Sequence, residues 1–483
     1  MSGLLARLDD AINPIMVKEL RQAVRSRFVT ALLFLFLFAQ LAIVALVLSS
    51  NQGSELRPGL GRDLFSVLHS AILFTCMVGL SVYTSVRLFA ERGMEGLDLL
   101  YVTALSPRAI VRGKLSAAFV LTLLLYSASL PFVAFTYLLR GVGLGDIFLV
   151  LGLGLLAVMD GVALALASAA LGGGRLLRVL AGLVALGFLL IGYGMVQVFL
   201  LMLLEPNALV ALDLTVAIGL VLGGLVLGGW LYTLAVAMLS PPSANRARGP
   251  RIYGLAVLAI TGGLLLVSDG LDSDWWEFWQ WVWAIVVGIA CLVASSGPER
   301  PSLRIARGIP RNPVRRLLAF PFTSGAAGGL LWAGLVTALL LTIATVGAGF
   351  RGLSSQIADE TGEVAVFVLY CLAYALTAIF LRRTLLRRLG ADKTWVLMLV
   401  LLAIGSAVVP ILALVLIPNG QAENSPLWLI TSPIAMTHHS ATELTLIVAV
   451  SWTLLGLAVN ARWLAGQWRA FRPLAAEAEA GDG

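Results

Sequence analysis

Charge is scarce in this chain. Lys, Arg, Asp and Glu together make up 12% of its 483 residues, against about 25% in a typical soluble protein. Residues of the apolar and aromatic set account for 59%, and 49 glycines add to them. There is too little polar surface here to cover a water-soluble core of this size, which excludes a soluble enzyme, a disordered chain and a small nucleic-acid binder. A polytopic membrane protein remains, with lipid as solvent over most of its surface. Cysteine is scarce as well. Cys76, Cys291 and Cys371 are scattered in apolar runs, with no CxxC pair and no disulfide framework. They read as small buried hydrophobes. Only three histidines occur. His69 is alone in its apolar run, and His438 and His439 stand near Glu443 with no HExxH and no third ligand in reach. No metal site or intramembrane catalytic centre is expected. No G-x-x-x-x-G-K-[ST] phosphate loop occurs either, so the chain has no means of cradling ATP itself. The first 27 residues are polar, include Asp9 and Asp10, and do not read as a cleaved signal peptide.

What the chain has in abundance is long apolar runs. Twelve are long enough to cross a bilayer: Phe28–Leu48, Leu64–Phe89, Leu115–Leu138, Ile147–Leu171, Val179–Leu204, Leu214–Leu239, Ile252–Val267, Trp276–Ala294, Gly328–Gly349, Val364–Phe380, Trp395–Leu416 and Leu444–Trp463. The seventh and tenth are short. The runs are continuous and do not alternate every second residue, so helices and not barrel strands are expected. The fold class is therefore an all-α integral membrane bundle of about twelve transmembrane helices. Lys and Arg divide 29 to 4 between alternate sides, with only Arg57, Arg62, Arg140 and Arg351 on the minority side. The positive-inside rule then puts both termini in the cytoplasm, in a bacterial-type cytoplasmic membrane. The net charge of +7 separates into about +18 on the cytoplasmic segments, −10 on the outer ones and −1 from Asp160 within a span. It is a threading signature and points to no nucleic acid.

The expected organisation is a cytoplasmic amphipathic interfacial helix (1–27), a six-span domain (28–240), two further spans (241–296), a basic cytoplasmic linker (297–327), four C-terminal spans (328–464) and a cytoplasmic tail (465–483). The linker, rich in Pro and Gly, divides eight spans from four, and the acidic tail after Pro473 reads as disordered. The run DWWEFWQWVW at Asp274–Trp283 reads as an aromatic anchor at the outer interface, with an aromatic substrate platform as the other reading.

Two segments carry the functional information. In the first, Asn13 is a good N-cap and Pro14 suits the first helical turn. Ile12, Met16, Leu20 and Val24 then form an apolar stripe, with Lys18, Glu19, Arg21, Gln22 and Arg25 on the other side. This predicts a helix on the membrane surface, either a plain anchor or a docking surface for a cytoplasmic partner. The second segment, Glu91–Lys114, reads as two short surface helices. Leu97, Leu100 and Tyr101 share a face beside Asp98, and Ser106-Pro107 restarts the chain as a cap.

These segments resemble the permease subunits of ABC transporters of the ABC-2 type. Members commonly open with Asn-Pro-(apolar)-Lys-Glu-Leu-Arg, here Asn13 to Arg21. They carry a stretch close to ERxxGTLELLLxTPLSPxxIVxGK after span two. It is matched here by Glu91, Arg92, Leu97, Asp98, Leu99, Leu100, Thr103, Leu105, Ser106, Pro107, Ile110, Val111, Gly113 and Lys114. Glu95-Gly96 and Ala104 depart from that pattern. The resemblance covers roughly residues 10–240. It implies a permease working with separate cytoplasmic ABC ATPase subunits that carry ATP and Mg, no cofactor on this chain, and a second permease unit beside it in the lipid. It also implies ATPase-coupling roles for Lys18, Glu19, Arg21, Glu91, Arg92 and Asp98. The second unit is a second copy, another chain or the C-terminal half. Asn312-Pro313 faintly echoes Asn13-Pro14, and Thr431–Glu443 echoes Glu205–Asp213. Three polar side chains deep in spans, Asp160, Gln40 and Gln197, are candidates for a substrate path. Asp160 also supports an alternative, an ion- or proton-coupled carrier, and a non-transport scaffold is the third reading. Nothing in the spans selects a substrate.

Overall fold

The computed structural model describes residues 13–50, 59–93, 106–171, 175–204, 214–267, 273–351, 356–408, 411–412, 415, 431–432 and 442–473. All regular elements among them are helical, and twelve are long and apolar enough to cross a membrane. They fall at the twelve apolar runs, the two short ones included. The chain is thus a multi-pass helical membrane protein. All three cysteines are free and buried.

The chain divides into two compact units, residues 1–241 and 242–483. In the first, α1 (Pro14–Val24) leads into α2 (Arg27–Ser50). The second span is α3 (Leu60–Phe74), a π-helical turn (Thr75–Leu80) and α4 (Ser81–Gly93) in succession. Then come α5 (Pro107–Leu138), α6 (Leu144–Ala169), α7 (Arg175–Leu203) and α8 (Leu214–Leu239). Helix α6 packs against α4, α7 and α8. Its Val150, Val158, Val162 and Leu166 meet Phe65, Ile72, Leu73, Cys76 and Leu80 of the second span in the unit's core. Ser106 caps α5 by accepting from the Ala109 N–H at 3.2 Å, and the helix runs unbroken for 32 residues. The expected second surface helix is therefore the first two turns of span three. Thirty-two residues rise about 48 Å, well beyond a ~30 Å hydrocarbon core, so these turns stand clear of the lipid tails.

The second unit holds α9 (Arg248–Val267), α10 (Ser273–Ser295), the short α11 (Leu303–Arg307) and α12 (Pro313–Ala319), α13 (Ala326–Arg351), α14 (Gln356–Thr384), α15 (Thr394–Ala403) with a π-helical turn after it (Ile404–Val408), and α16 (Thr442–Ala470). Helix α14, built on the short tenth run, is the most buried of the candidate spans. It begins eight residues before the apolar run does and packs against α10, α13, α15 and α16. Asn460 and Thr453 of α16 bond to its backbone at Leu376 and Leu369 (3.1 and 3.0 Å).

One expectation changes here. The segment 297–327 gathers span ends and does not separate two blocks. Arg251 at the start of α9 donates to the Pro321 and Thr323 carbonyls, and Glu299 pairs with Arg382 at the end of α14. Ser296 accepts from the Trp395 N–H at 2.8 Å, and Phe320 packs on Trp468 and Phe471. The division of the chain falls at 241/242, with six candidate spans on each side. Pro and Gly read as linker chemistry, but here they bring backbones close and leave carbonyls for Arg251. The tryptophan run, for its part, packs several of its rings against protein. Trp276, Trp279 and Trp283 are buried. Trp276 stacks on Trp279, whose Nε1 donates to Thr261 Oγ1 at 2.9 Å. Gly262 and Gly347 lie under these rings, where a methyl group would collide.

The two ends of unit one also depend on a close approach. A Cβ at Gly61, at the start of the second span, would fall on the carbonyl oxygens of Thr136 and Arg140 at the end of α5. Backbone cannot rotate away as a side chain can. Gly61→Ala is therefore expected to destabilise the protein by about 1–3 kcal/mol as overpacking does. Gly152→Ala meets open space and should be neutral or stabilising by up to about 1 kcal/mol from helix propensity. Thermal unfolding of the two purified proteins in detergent gives the order.

Candidate functional site: a surface helix clamped by a buried ion cluster

Helix α1 exists because Asn13 and Pro14 start it. The Asn13 Oδ1 accepts from the Ile15 N–H at 3.0 Å, and proline occupies the first turn, where no N–H is required. The same asparagine also clasps α5: its Nδ2 donates to the Ala109 carbonyl at 2.7 Å. One side chain thus joins the two segments singled out in the sequence. The crossing point is Gly113 of α5. A Cβ there would lie 2.7 Å from Ile15 Cβ and 3.0 Å from Asn13 Nδ2, so a side chain at 113 would lift α1 away.

Next to Gly113, Lys114 turns inward with 4% of its side chain exposed. Its Nζ donates to Glu19 Oε1 at 2.6 Å and lies 2.9 Å from Glu91 Oε2. Arg87 Nε stands 3.6 Å from Glu19 Oε2, and its guanidinium also bonds Tyr83 Oη (3.1 Å) and Gln22. Lys18 closes the group at 3.5 Å from Glu91 Oε1, on the exposed side. Three cations and two carboxylates from α1, α4 and α5 therefore form one cluster. A cavity of about 10 Å³ between Glu19, Tyr83, Arg87 and Lys114 is of the size of a single water. A lone lysine buried in a membrane protein costs several kcal/mol. Two carboxylates and good geometry offset that cost, so the three elements stay together or the charges are stranded.

The sequence-derived residues divide accordingly. Lys18 and Arg21 face outward, as does Arg25. Glu19 and Glu91 face the cluster and are not a free contact surface; Glu19 is buried together with Ala23. The buried stripe runs Ile15–Glu19–Ala23, while Val24 of the expected apolar stripe is 70% exposed. The helix has two working faces: Ile15, Glu19 and Ala23 toward protein, and an apolar edge left for lipid. The Arg92 side chain, Asp98, and the surface helix expected through Leu97, Leu100 and Tyr101 lie outside the described residues, as do His438 and His439. Arg87 and Lys114 were not singled out for this role. Lys114 carried a signal, since a lysine directly after a glycine at a helix crossing has its stem held close and must find a carboxylate.

The substrate-path residues do not converge. Leu156 and Asp160 look toward α8, where Gly224 and Gly228 leave room for them. Gly154 and Gly161 occupy the other face of α6. Gly154 sits against His69 Nε2 and Tyr126 Oη, and Gly161 against Met77 and Ser81. His69, alone in its run, thus has polar company. Gln197 of α7 faces it, and Gln40 Nε2 donates to the adjacent Leu68 carbonyl at 3.2 Å. Gln40, His69 and Gln197 are all more than nine-tenths buried, and Gln40 Oε1, His69 Nε2, Tyr126 Oη and Gln197 Oε1 are left without partners. Unpaired polar atoms at such depth are costly. They flank the π-helical turn, a distortion that recurs at functional positions. Gln40 and Gln197 therefore belong to one cluster with His69 and Tyr126, and Asp160 stands apart. No group of three or more metal-ligating side chains exists among the described residues.

No protein-family model matches the chain, and neither does any curated protein or solved structure.

The cluster makes a sharp prediction. Lys114→Met strands two carboxylates and should cost about 3–5 kcal/mol, as breaking a buried pair does. Adding Glu19→Gln should recover part of that loss. A double-mutant cycle by thermal unfolding should give a coupling above about 1 kcal/mol; additive losses would mean that the ion pair carries no energy.

Proposed function

We propose that the chain is the membrane-spanning permease subunit of an ATP-driven exporter of the ABC-2 type, worked by a separate cytoplasmic ATPase. The observation that carries this reading is the joint between α1 and the start of α5. The two segments that resemble the family meet across 96 residues of sequence at Asn13 and Ala109, and across 95 at Glu19 and Lys114, with Gly113 at the crossing. A surface helix bolted to the ends of spans two and three acts as a lever. Force applied to its outer face reaches α4 and α5 through the ion cluster without being absorbed in a loop. That outer face presents Lys18, Arg21 and Arg25, a cationic rim for a soluble partner. ATP and Mg²⁺ bind on the partner. This chain has no catalytic role and positions the spans that move. The 29-to-4 division of Lys and Arg supports cytoplasmic termini in a bacterial-type cytoplasmic membrane. A second permease unit completes the pathway, from a second copy or from residues 242–483. Asn312 there caps α12 by accepting from the Val314 N–H at 2.9 Å, much as Asn13 caps α1.

The coupled-carrier reading rests on Asp160. Its carboxylate lies at membrane depth against Gly228, where ionisable groups tend to be functional. Asp160→Asn separates the two: transport lost with normal melting and normal ATPase stimulation favours the carrier, and unchanged transport removes it.

Affinity purification from native membranes followed by mass spectrometry is expected to recover an ABC ATPase; its absence defeats the exporter reading. Charge reversal at Glu91 would break the cluster as well as any coupling, so outward residues give the cleaner test. Arg21→Glu with Arg25→Glu, both exposed and outside the ion cluster, should weaken ATPase association about tenfold, or about 1.4 kcal/mol, with the melting temperature unchanged.

A further inference from the structure

A cavity of about 540 Å³ opens in the second unit among the start of α9 and the short helices α11 and α12. That volume lies within the range of about 300–1,000 Å³ usual for ligand pockets. Arg248, Arg304 and Arg315 line it, and no Asp or Glu does. Other arginines nearby have structural work: Arg251 holds the Pro321 and Thr323 carbonyls, Arg316 lies 5.1 Å over the Trp468 ring, and Arg382 pairs with Glu299. The three lining arginines are exposed, and no carboxylate among the described residues pairs with any of them. Three like charges converging on one space repel one another unless an anion joins them.

Apart from Asn245 and Thr323, the rest of the wall is apolar. Ile252, Leu318 and Phe322 face the same space. Leu303, Val314, Leu317 and Leu318 are exposed on two helices of twelve residues in all. From Ile252 an exposed stripe continues along α9 through Ala256, Ile260 and Leu264, one residue every four. Twelve residues of helix rise about 18 Å, more than half of a ~30 Å hydrocarbon core. The cavity therefore has a cationic mouth and an apolar track leading from it into the bilayer.

We infer that this cavity binds an anionic phospholipid, with its phosphate among Arg248, Arg304 and Arg315 and an acyl chain along Ile252, Ala256, Ile260 and Leu264. Basic pockets among membrane helices recognise such headgroups by this combination. A soluble phosphate would use the arginines and leave the track empty. An acidic protein surface would have no use for the track either. The inference needs only that the chain spans a membrane and does not rest on the exporter reading.

The test uses the full chain purified in detergent. Native mass spectrometry counts bound lipid during titration with phosphatidylglycerol or phosphatidylcholine of the same acyl chains. Phosphatidylglycerol is expected to be retained in clear preference. The triple variant Arg248→Gln, Arg304→Gln, Arg315→Gln should bind it about a hundredfold more weakly, three headgroup contacts being removed. Arg387→Gln with Arg388→Gln, exposed and outside the cavity, should bind as the native protein does. If the triple variant melts early, the single changes Arg304→Gln and Arg315→Gln carry the same comparison. Equal retention of the two lipids overturns the inference, as does an equal loss in the Arg387/Arg388 control. Full competition by inorganic phosphate at the concentration of the lipid makes the site one for soluble anions and overturns it too. So does unchanged lipid binding in a triple variant that loses a co-purifying protein.

Discussion

The first unit depends on the placement of one cation. Lys114 stands at a point where α5 has already been drawn against α1 through Gly113, so its side chain has no route to water. A lysine there is tolerable only if carboxylates come to it, and Glu19 and Glu91 do so from two other elements. The surface helix, the end of span two and the start of span three are thereby made one piece. A buried ion cluster of this kind adds little net stability compared with a well-packed apolar contact. What it provides is specificity of arrangement, since any slip of one element strands a charge.

That rigidity is the physical basis for reading the region as a lever. A lever needs a stiff arm, an outward face and a connection to moving parts. In that reading α1 is the arm, Lys18 and Arg21 are on its outward face, and α4 and α5 are the connected spans. The core of the unit is less uniform. The π-helical turn and the unpaired polar atoms of Gln40, His69, Tyr126 and Gln197 depart from the apolar packing that surrounds them. Asp160 is a separate matter, on the opposite face of α6. Two polar features at different places in one bundle are compatible with a pathway whose lining changes as helices shift, but they are not one site.

The second unit is organised differently. There the basic segment 297–327 collects the ends of the spans, with Arg251, Ser296, Glu299 and Phe320 each tying a different one. Arg248, Arg304 and Arg315 tie none of them and face a cavity at the foot of α9. Excess positive charge on this chain thus serves three purposes: threading, internal clamping and a pocket for an anion.

Much of this was legible in the sequence. Apolar runs of spanning length mark all twelve helices because in lipid the backbone must satisfy itself within each segment, so local composition decides. Asn13-Pro14 and Ser106-Pro107 marked helix starts, since capping is settled within three residues. The cap alone could not tell that Asn13 would also hold Ala109. The functional surface was legible only as a set of charges. The chain by itself determined that α1 is a charged surface helix; the tertiary structure decided which charges point where. A helix presents every side of itself, and only the partner against which it packs makes Glu19 inward and Lys18 outward. The same holds for His69, Trp276 and the linker, whose roles are set by residues far away in sequence. Span number follows from local hydrophobicity, whereas the ion cluster, the six-and-six division and the arginine cavity arise from contacts that no local pattern encodes.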